Sequence, residues 1–135
     1  MGETMWAVVV EEDQPLKLGQ VEKPECGPND VLVEIVTAGL NRADLVQRRG
    51  LYPPPPGASA IMGLECAGTI VAVGGAVSSW AVGDRVCGLM AGGGYAEFAV
   101  IDEGSLFKIP DGMSCDEAGA LPEVMMTVWA NIFDR

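Results

Sequence analysis

The chain has 135 residues, 49% of them apolar, and nineteen acidic against eight basic side chains give it a net charge of −11. That length suits one domain with a real hydrophobic core, and the negative charge repels phosphate backbones and anionic membranes, which argues against nucleic acid and lipid as partners. Histidine is absent, so Ser-His-Asp and Cys-His catalysis are excluded and acid-base work falls to carboxylates, Tyr, Lys, a cofactor or water.

The opening MGETMW lacks a basic start followed by an apolar core, Trp6 stands where a myristoylation signal needs Ser or Thr, and no apolar run approaches bilayer length. The expected setting is cytoplasmic. The runs MWAVVVEE (5–12), LKLGQVE (16–22) and DVLVEIVTAGL (30–40) are rich in β-branched residues and bounded by Asp13-Gln14-Pro15 and Pro28-Asn29-Asp30, so they read as strands. A short helix follows in NRADLVQRR, where Asp44 and Arg48 stand four apart.

Next comes LYPPPPG. Pro53 pushes Tyr52 out of the helical region, and the prolines after it form a stiff segment without internal hydrogen bonds. Two readings stand for Tyr52: a phenol held ready to donate to a carbonyl or quinone oxygen, or a ring that packs at the mouth of the fold. The prolines also contain a formal P-x-x-P, a pattern that is frequent by chance.

CAGTIVAVG (66–74), DRVCGLM (84–90), YAEFAVI (95–101) and SLFKIP (105–110) continue the strand pattern. Seven short strands at close spacing predict a barrel or sandwich. AGGGYAE leads into a strand rather than a helix and no G-x-G-x-x-G occurs, so its glycines read as a turn rather than a phosphate cradle.

Ser114 and Glu117 form a capping box that opens a short helix, which Pro122 is expected to close. In the final EVMMTVWANIFDR, Met125, Val128, Trp129 and Ile132 line one face, but Val124, Met126, Ala130 and Phe133 make the other faces apolar too. Such a helix needs burial on all sides. The expectation is that the chain is the front part of a longer protein, with oligomerisation through this helix, as a homodimer, as the alternative. Cys26, Cys66, Cys87 and Cys115 are widely spaced and read as reduced, mostly buried thiols.

GLNRADLVQRRGLYPPPPG, MGLECAGTIVAVG, GDRVCGL, GGGYAEFAVI and ALPEVMMTVW together resemble the medium-chain dehydrogenase/reductase superfamily, in order and spacing. They are most similar to its zinc-free quinone oxidoreductase branch, the zeta-crystallin-like enzymes. The resemblance implies a mainly β fold, a GroES-like, partly open β-barrel with a few short helices. Residues 1–122 would form this substrate-binding domain, and residues 123–135 would begin an interdomain helix toward a Rossmann domain that is absent from the chain. NADPH would lie between the two domains and pass hydride to a quinone or enone, with enoyl reduction or a non-catalytic scaffold as alternatives.

Zinc-binding relatives carry three ligands at places that the resemblance matches to Asn41, Leu64 and Glu123, which implies that no zinc is bound here. Without a Lewis acid, Tyr52 and the Asn41 amide are implied as donors to the substrate oxygen, and Asn41 and Thr127 as contacts for the nicotinamide end of the cofactor. Asp44 and Glu65, beside zinc ligands in those relatives, are expected to hold local backbone and arginines. For Arg42, Arg48 and Arg49 the favoured reading is pairing with Asp44 and neighbouring acids, and the other is attraction of the anionic cofactor.

Overall fold

The computed structural model describes residues 2–11 and 15–134. The expected end of the first strand at Glu12, the turn residues Asp13 and Gln14, and Arg135 lie outside the described residues. Strand β1 (Thr4–Val9) buries Met5 and Ala7 while Thr4 and Trp6 face out, the period-2 alternation of a half-buried strand. It pairs antiparallel with β2 (Lys17–Glu22) to make a two-stranded sheet.

The larger sheet contains β3 (Asp30–Ala38), β4 (Glu65–Val73), β5 (Arg85–Leu89), β6 (Phe98–Asp102) and β7 (Leu106–Lys108). Its order is β6-β3-β4-β5-β7 with every pair antiparallel. Register shifts at Leu32/Val33 and Ile35/Thr37 interrupt the β3–β4 ladder, and such irregularities bend and twist a sheet. A seam joins the sheets: Val8 N–H donates to the Tyr95 carbonyl at 2.8 Å and Glu97 N–H to the Trp6 carbonyl at 3.0 Å. Among the described residues β6 and β7 do not pair, so the expected barrel is partly open.

The main core comprises Val31, Val33, Cys66, Ile70, Val86, Ala99, Ile101 and Leu106. Each larger aliphatic group here contributes about 1.5–3 kcal/mol by leaving water. A second cluster, Ala67, Cys87, Ile109 and Ala118, brings in residues of β4 and β5 adjacent to the main-core ones, with Met113 and Cys115 packed against it. Helix α2 (Cys115–Ala118) contributes Ala118 to this cluster and is opened by the expected capping box, with Ser114 Oγ accepting from Glu117 N–H at 3.1 Å. The Thr37 hydroxyl pins it to β3 by donating to Asp116 Oδ1 at 2.5 Å. Burial of the thiols is mixed: Cys66 and Cys87 are buried, Cys26 and Cys115 half-buried, and all four are unpaired.

One expectation is corrected. Pro122 does not close α2, which ends at Gly119; it opens α3 (Pro122–Ile132) at the first helical position. There its fixed φ suits the helix and its missing N–H costs no intrahelical bond. The final helix is apolar all round and without cover among the described residues: beyond Glu123 its residues face solvent, with Trp129 59% exposed and its ring 5.2 Å from that of Phe133.

Ile70, fully buried at the centre of the main core, sets the first prediction. Ile70→Ala is expected to lower unfolding free energy by about 3 kcal/mol in urea denaturation, whereas Val36→Ala on an exposed site should change it by less than about 0.5 kcal/mol.

Candidate functional site

The end of β3 runs through Gly39 into Asn41, which caps helix α1 (Arg42–Arg48). Asn41 N–H donates to Asp44 Oδ2 at 2.7 Å, so the carboxylate takes one of the amides left over at the helix start. Asp44 is 4% exposed, and its Oδ2 also accepts from the Tyr95 hydroxyl at 2.6 Å. The Gly39 carbonyl lies 3.1 Å from the same hydroxyl. A phenol has one hydrogen to give, and the charged acceptor is the stronger of the two. Asp44 Oδ1 is buried without a partner.

Glu65 opens β4 and is 2% exposed. Its Oε1 accepts from Asn41 Nδ2 at 2.8 Å, and its Oε2 from the backbone N–H of Glu123, in the first turn of α3, at 2.9 Å. This carboxylate needs room, and Gly39 provides it: a Cβ there would collide with the Glu65 side chain.

Backbone stitching brings Glu65 and Tyr95 to one place. Tyr95 N–H donates to the Met62 carbonyl at 2.9 Å, Gly94 N–H to the Gly63 carbonyl at 3.1 Å, and Met90 N–H to the Leu64 carbonyl at 2.8 Å. The segments leading into β4 and β6 approach closely at Gly63, whose φ of 102° is in the left-handed region and whose Cβ would lie 2.7 Å from the Gly94 Cα.

Of the three residues expected at the site, two are linked. Asn41 connects through Glu65 to the start of α3, where Thr127 Oγ1 lies 3.4 Å from Glu123 Oε1. Tyr52 follows α1 in an irregular segment, is 50% exposed, and joins none of these bonds. Tyr95 was not anticipated; the glycines flanking its contact, Gly63 and Gly94, were the available signal of close approach.

The arginine expectation fails. Asp44 faces inward to Tyr95 and Asn41, while Arg42, Arg48 and Arg49 point to solvent. Among the described residues the ion pairs are Lys17–Glu11 and Lys23–Glu3, and none involves these arginines. Asp44 and Glu65 do hold backbone, as expected, through Asn41 N–H and Glu123 N–H.

Burial raises the Tyr95 pKa first, and the hydrogen bond to Asp44 and the charges of Asp44 and Glu65 raise it further. Burial likewise pushes the Cys66 thiol up to about 12. A cavity of about 550 Å³ lies elsewhere, between Met5, Ser59, Met90, Phe98 and Ile101, and none of Asn41, Tyr52 and Thr127 lines it. No group of three or more His, Cys, Asp or Glu side chains placed to hold a metal ion occurs among the described residues. No helix of the described residues is long and apolar enough to cross a membrane.

Residues 27–111 match the family model described as the alcohol dehydrogenase GroES-like domain. The chain belongs to that family. It is 40% identical over 112 residues to the synaptic vesicle membrane protein VAT-1 homolog of Danio rerio, covering 83% of this chain and 23% of that protein. It is 34% identical over 116 residues to quinone oxidoreductase-like protein 2 of Mus musculus, covering 86% of this chain and 33% of that protein. The GroES-like chain thus spans a third or less of the length of these two relatives. The crystal structure of human synaptic vesicle membrane protein VAT-1 homolog-like protein superimposes with a TM-score of 0.88 at 31% identity, covering 97% of this chain and 43% of that one. These relatives support the quinone oxidoreductase-like branch of the medium-chain dehydrogenase/reductase superfamily.

Tyr95→Phe removes one of the two bonds to a buried carboxylate oxygen and is expected to cost about 2 kcal/mol in urea denaturation. The folded state holds the Tyr95 proton above the unfolded pKa of about 10, so stability is intact below that pH and falls as pH rises beyond it. The variant should show a shallower alkaline decline between pH 9 and 11. It should keep some decline, because Cys66 likewise retains its proton above the ordinary thiol value of 9.0.

Proposed function

We propose that this domain supplies the substrate-binding half of an NADPH-dependent, zinc-independent reductase that passes hydride to a quinone or conjugated carbonyl. The observation that carries the reading is the Asn41 amide, held by buried Glu65 beside the start of α3. Asn41 Nδ2 has two hydrogens, and Glu65 takes one. The other is available to an acceptor oxygen, where it would stabilise charge as it develops. Tyr52, exposed and uncommitted, supplies a second donor from the opposite end of α1.

The residues present fit one end of a nicotinamide cofactor. Asn41 and the exposed hydroxyl of Thr127 would hold that end, and the bound cofactor would supply the hydride. Zinc is not fitted: Leu64 has no donor atom, and the Asn41 side chain is engaged by Glu65. Quinones need little polarisation, which suits hydrogen-bond donors in place of a Lewis acid. The name of the mouse relative and the share of each relative that this chain spans support residues 1–122 as the substrate domain, with residues 123–135 leading toward a nucleotide-binding domain. Four unpaired thiols support a cytoplasmic setting.

The test is an NADPH titration of this chain followed by nicotinamide fluorescence, repeated with a chain extended past Arg135 by a nucleotide-binding domain, with quinone-dependent oxidation read in both. Turnover is expected in the extended form alone. In that form Asn41→Ala and Tyr52→Phe should each lower kcat/KM for quinone by about tenfold, and unchanged turnover in both would remove those roles. A stable homodimer through α3, with no effect of NADPH in either form, would replace the reductase reading with a partner-binding one.

A further inference from the structure

Asn41 caps α1 and Thr127 lies on α3, and one side chain, Glu65, bonds to both of the segments that carry them. Its two oxygens have separate tasks, Oε1 with Asn41 Nδ2 at 2.8 Å and Oε2 with Glu123 N–H at 2.9 Å. At 2% exposure little water reaches it to take either place. A carboxylate only accepts, so the nitrogen of the Asn41 amide, not its oxygen, must face Glu65. Its negative charge also lies at the positive end of α3, where it is favoured. From there the helix carries Thr127 one turn onward, with its hydroxyl facing the Glu123 carboxylate at 3.4 Å.

We propose that Glu65 is a positioning residue that sets the orientation of the Asn41 amide and anchors the first turn of α3, holding the donor on the β domain and Thr127 on the helix in one frame. The purpose of that frame rests on the reductase reading. Its existence does not, and the experiment reads the frame directly in the chain itself.

Glutamine at this position offers one oxygen and one NH2, so it satisfies one of the two donors, and the other must turn away or lose its partner. Aspartate keeps both oxygens on a shorter arm. The measurement is NMR hydrogen exchange and chemical shift for the Asn41 side-chain amide and the Glu123 backbone amide, in the native chain, Glu65→Gln and Glu65→Asp. In Glu65→Gln at least one signal should move and exchange about tenfold faster or more, a loss of one net hydrogen bond, while Val33 and Ile70 in the core keep their protection. Glu65→Asp, with both oxygens drawn back from their donors, should show smaller changes, spread over both sites.

Unchanged shifts and exchange at both sites in Glu65→Gln would overturn the proposal. If that variant does not fold, Glu65→Asp decides: movement at both sites supports the frame, and native behaviour at both overturns it. In the form extended by a nucleotide-binding domain, Glu65→Gln should lower kcat for quinone about tenfold, with Glu65→Asp recovering part of it. A frame detected by NMR without turnover in the native extended form would count against the reductase reading and leave the frame standing. Turnover with no change in kcat on substitution would overturn the positioning role.

Discussion

A carboxylate that is nearly sealed from water needs donors to offset its charge, because an uncompensated buried charge costs several kcal/mol. At Glu65 this constraint organises the surroundings. One oxygen requires a donor on the β3–α1 connection, and Asn41 provides its amide; the other requires a donor on the far side, and the start of α3 provides a free backbone N–H. Gly39 must then have no side chain, since any Cβ would occupy the space of the carboxylate. Features at 39 and 41 and a distant one at 123 thus follow from one at 65.

Asp44 meets the same constraint through one oxygen, Oδ2, while its Oδ1 is buried without a partner. It is buried on α1, takes the Asn41 N–H within its own turn, and takes the Tyr95 hydroxyl from 51 residues further on. Asn41 is therefore held twice, by its backbone through Asp44 and by its side chain through Glu65. The glycines at 63 and 94 allow the two chain segments carrying Glu65 and Tyr95 to lie against each other, with the backbone bonds at Met62, Gly63 and Leu64 fixing their alignment. Burial first, and then the hydrogen bond to Asp44 and the charges of the two carboxylates, keep the proton on Tyr95, so its neutral phenol adds no third charge beside them.

What could be read from the sequence follows the range of the interactions involved. The seven strands were legible because alternation of β-branched residues is a local pattern, and the Ser114 capping box because its partners stand three positions apart. Pro122 was assigned to the wrong end of a helix, since proline both stops one helix and suits the first position of another, and the sequence alone did not show that Gly119 had already ended α2. Asn41 and Thr127 were singled out through motif resemblance, while the hydrogen-bonded link between their segments was not, because Glu65 meets Asn41 across 24 residues and Glu123 across 58. The arginines were misassigned for a related reason: their spacing from Asp44 suggested a surface pair, but burial of Asp44 behind the helix was decided by Tyr95, a partner that no local pattern reveals.

The same anchoring explains how α3 stands out from the fold. Eleven residues are short for a helix in water without tertiary support, and beyond its first turn this one shows mostly solvent-facing apolar side chains. Its support is concentrated at the N-terminus, in buried Pro122 and the Glu65 carboxylate, with the Trp129–Phe133 stack adding cohesion near the other end. A helix fixed in direction at one end and apolar on its outer faces is preorganised to present those faces to another surface, because the cost of orienting it is already met within the domain. Asp44 and Glu65 divide the work: Asp44 takes the Asn41 backbone N–H, while Glu65 takes the Asn41 side-chain amide and also the first turn of α3, so the fixed end of the helix and the amide share one carboxylate.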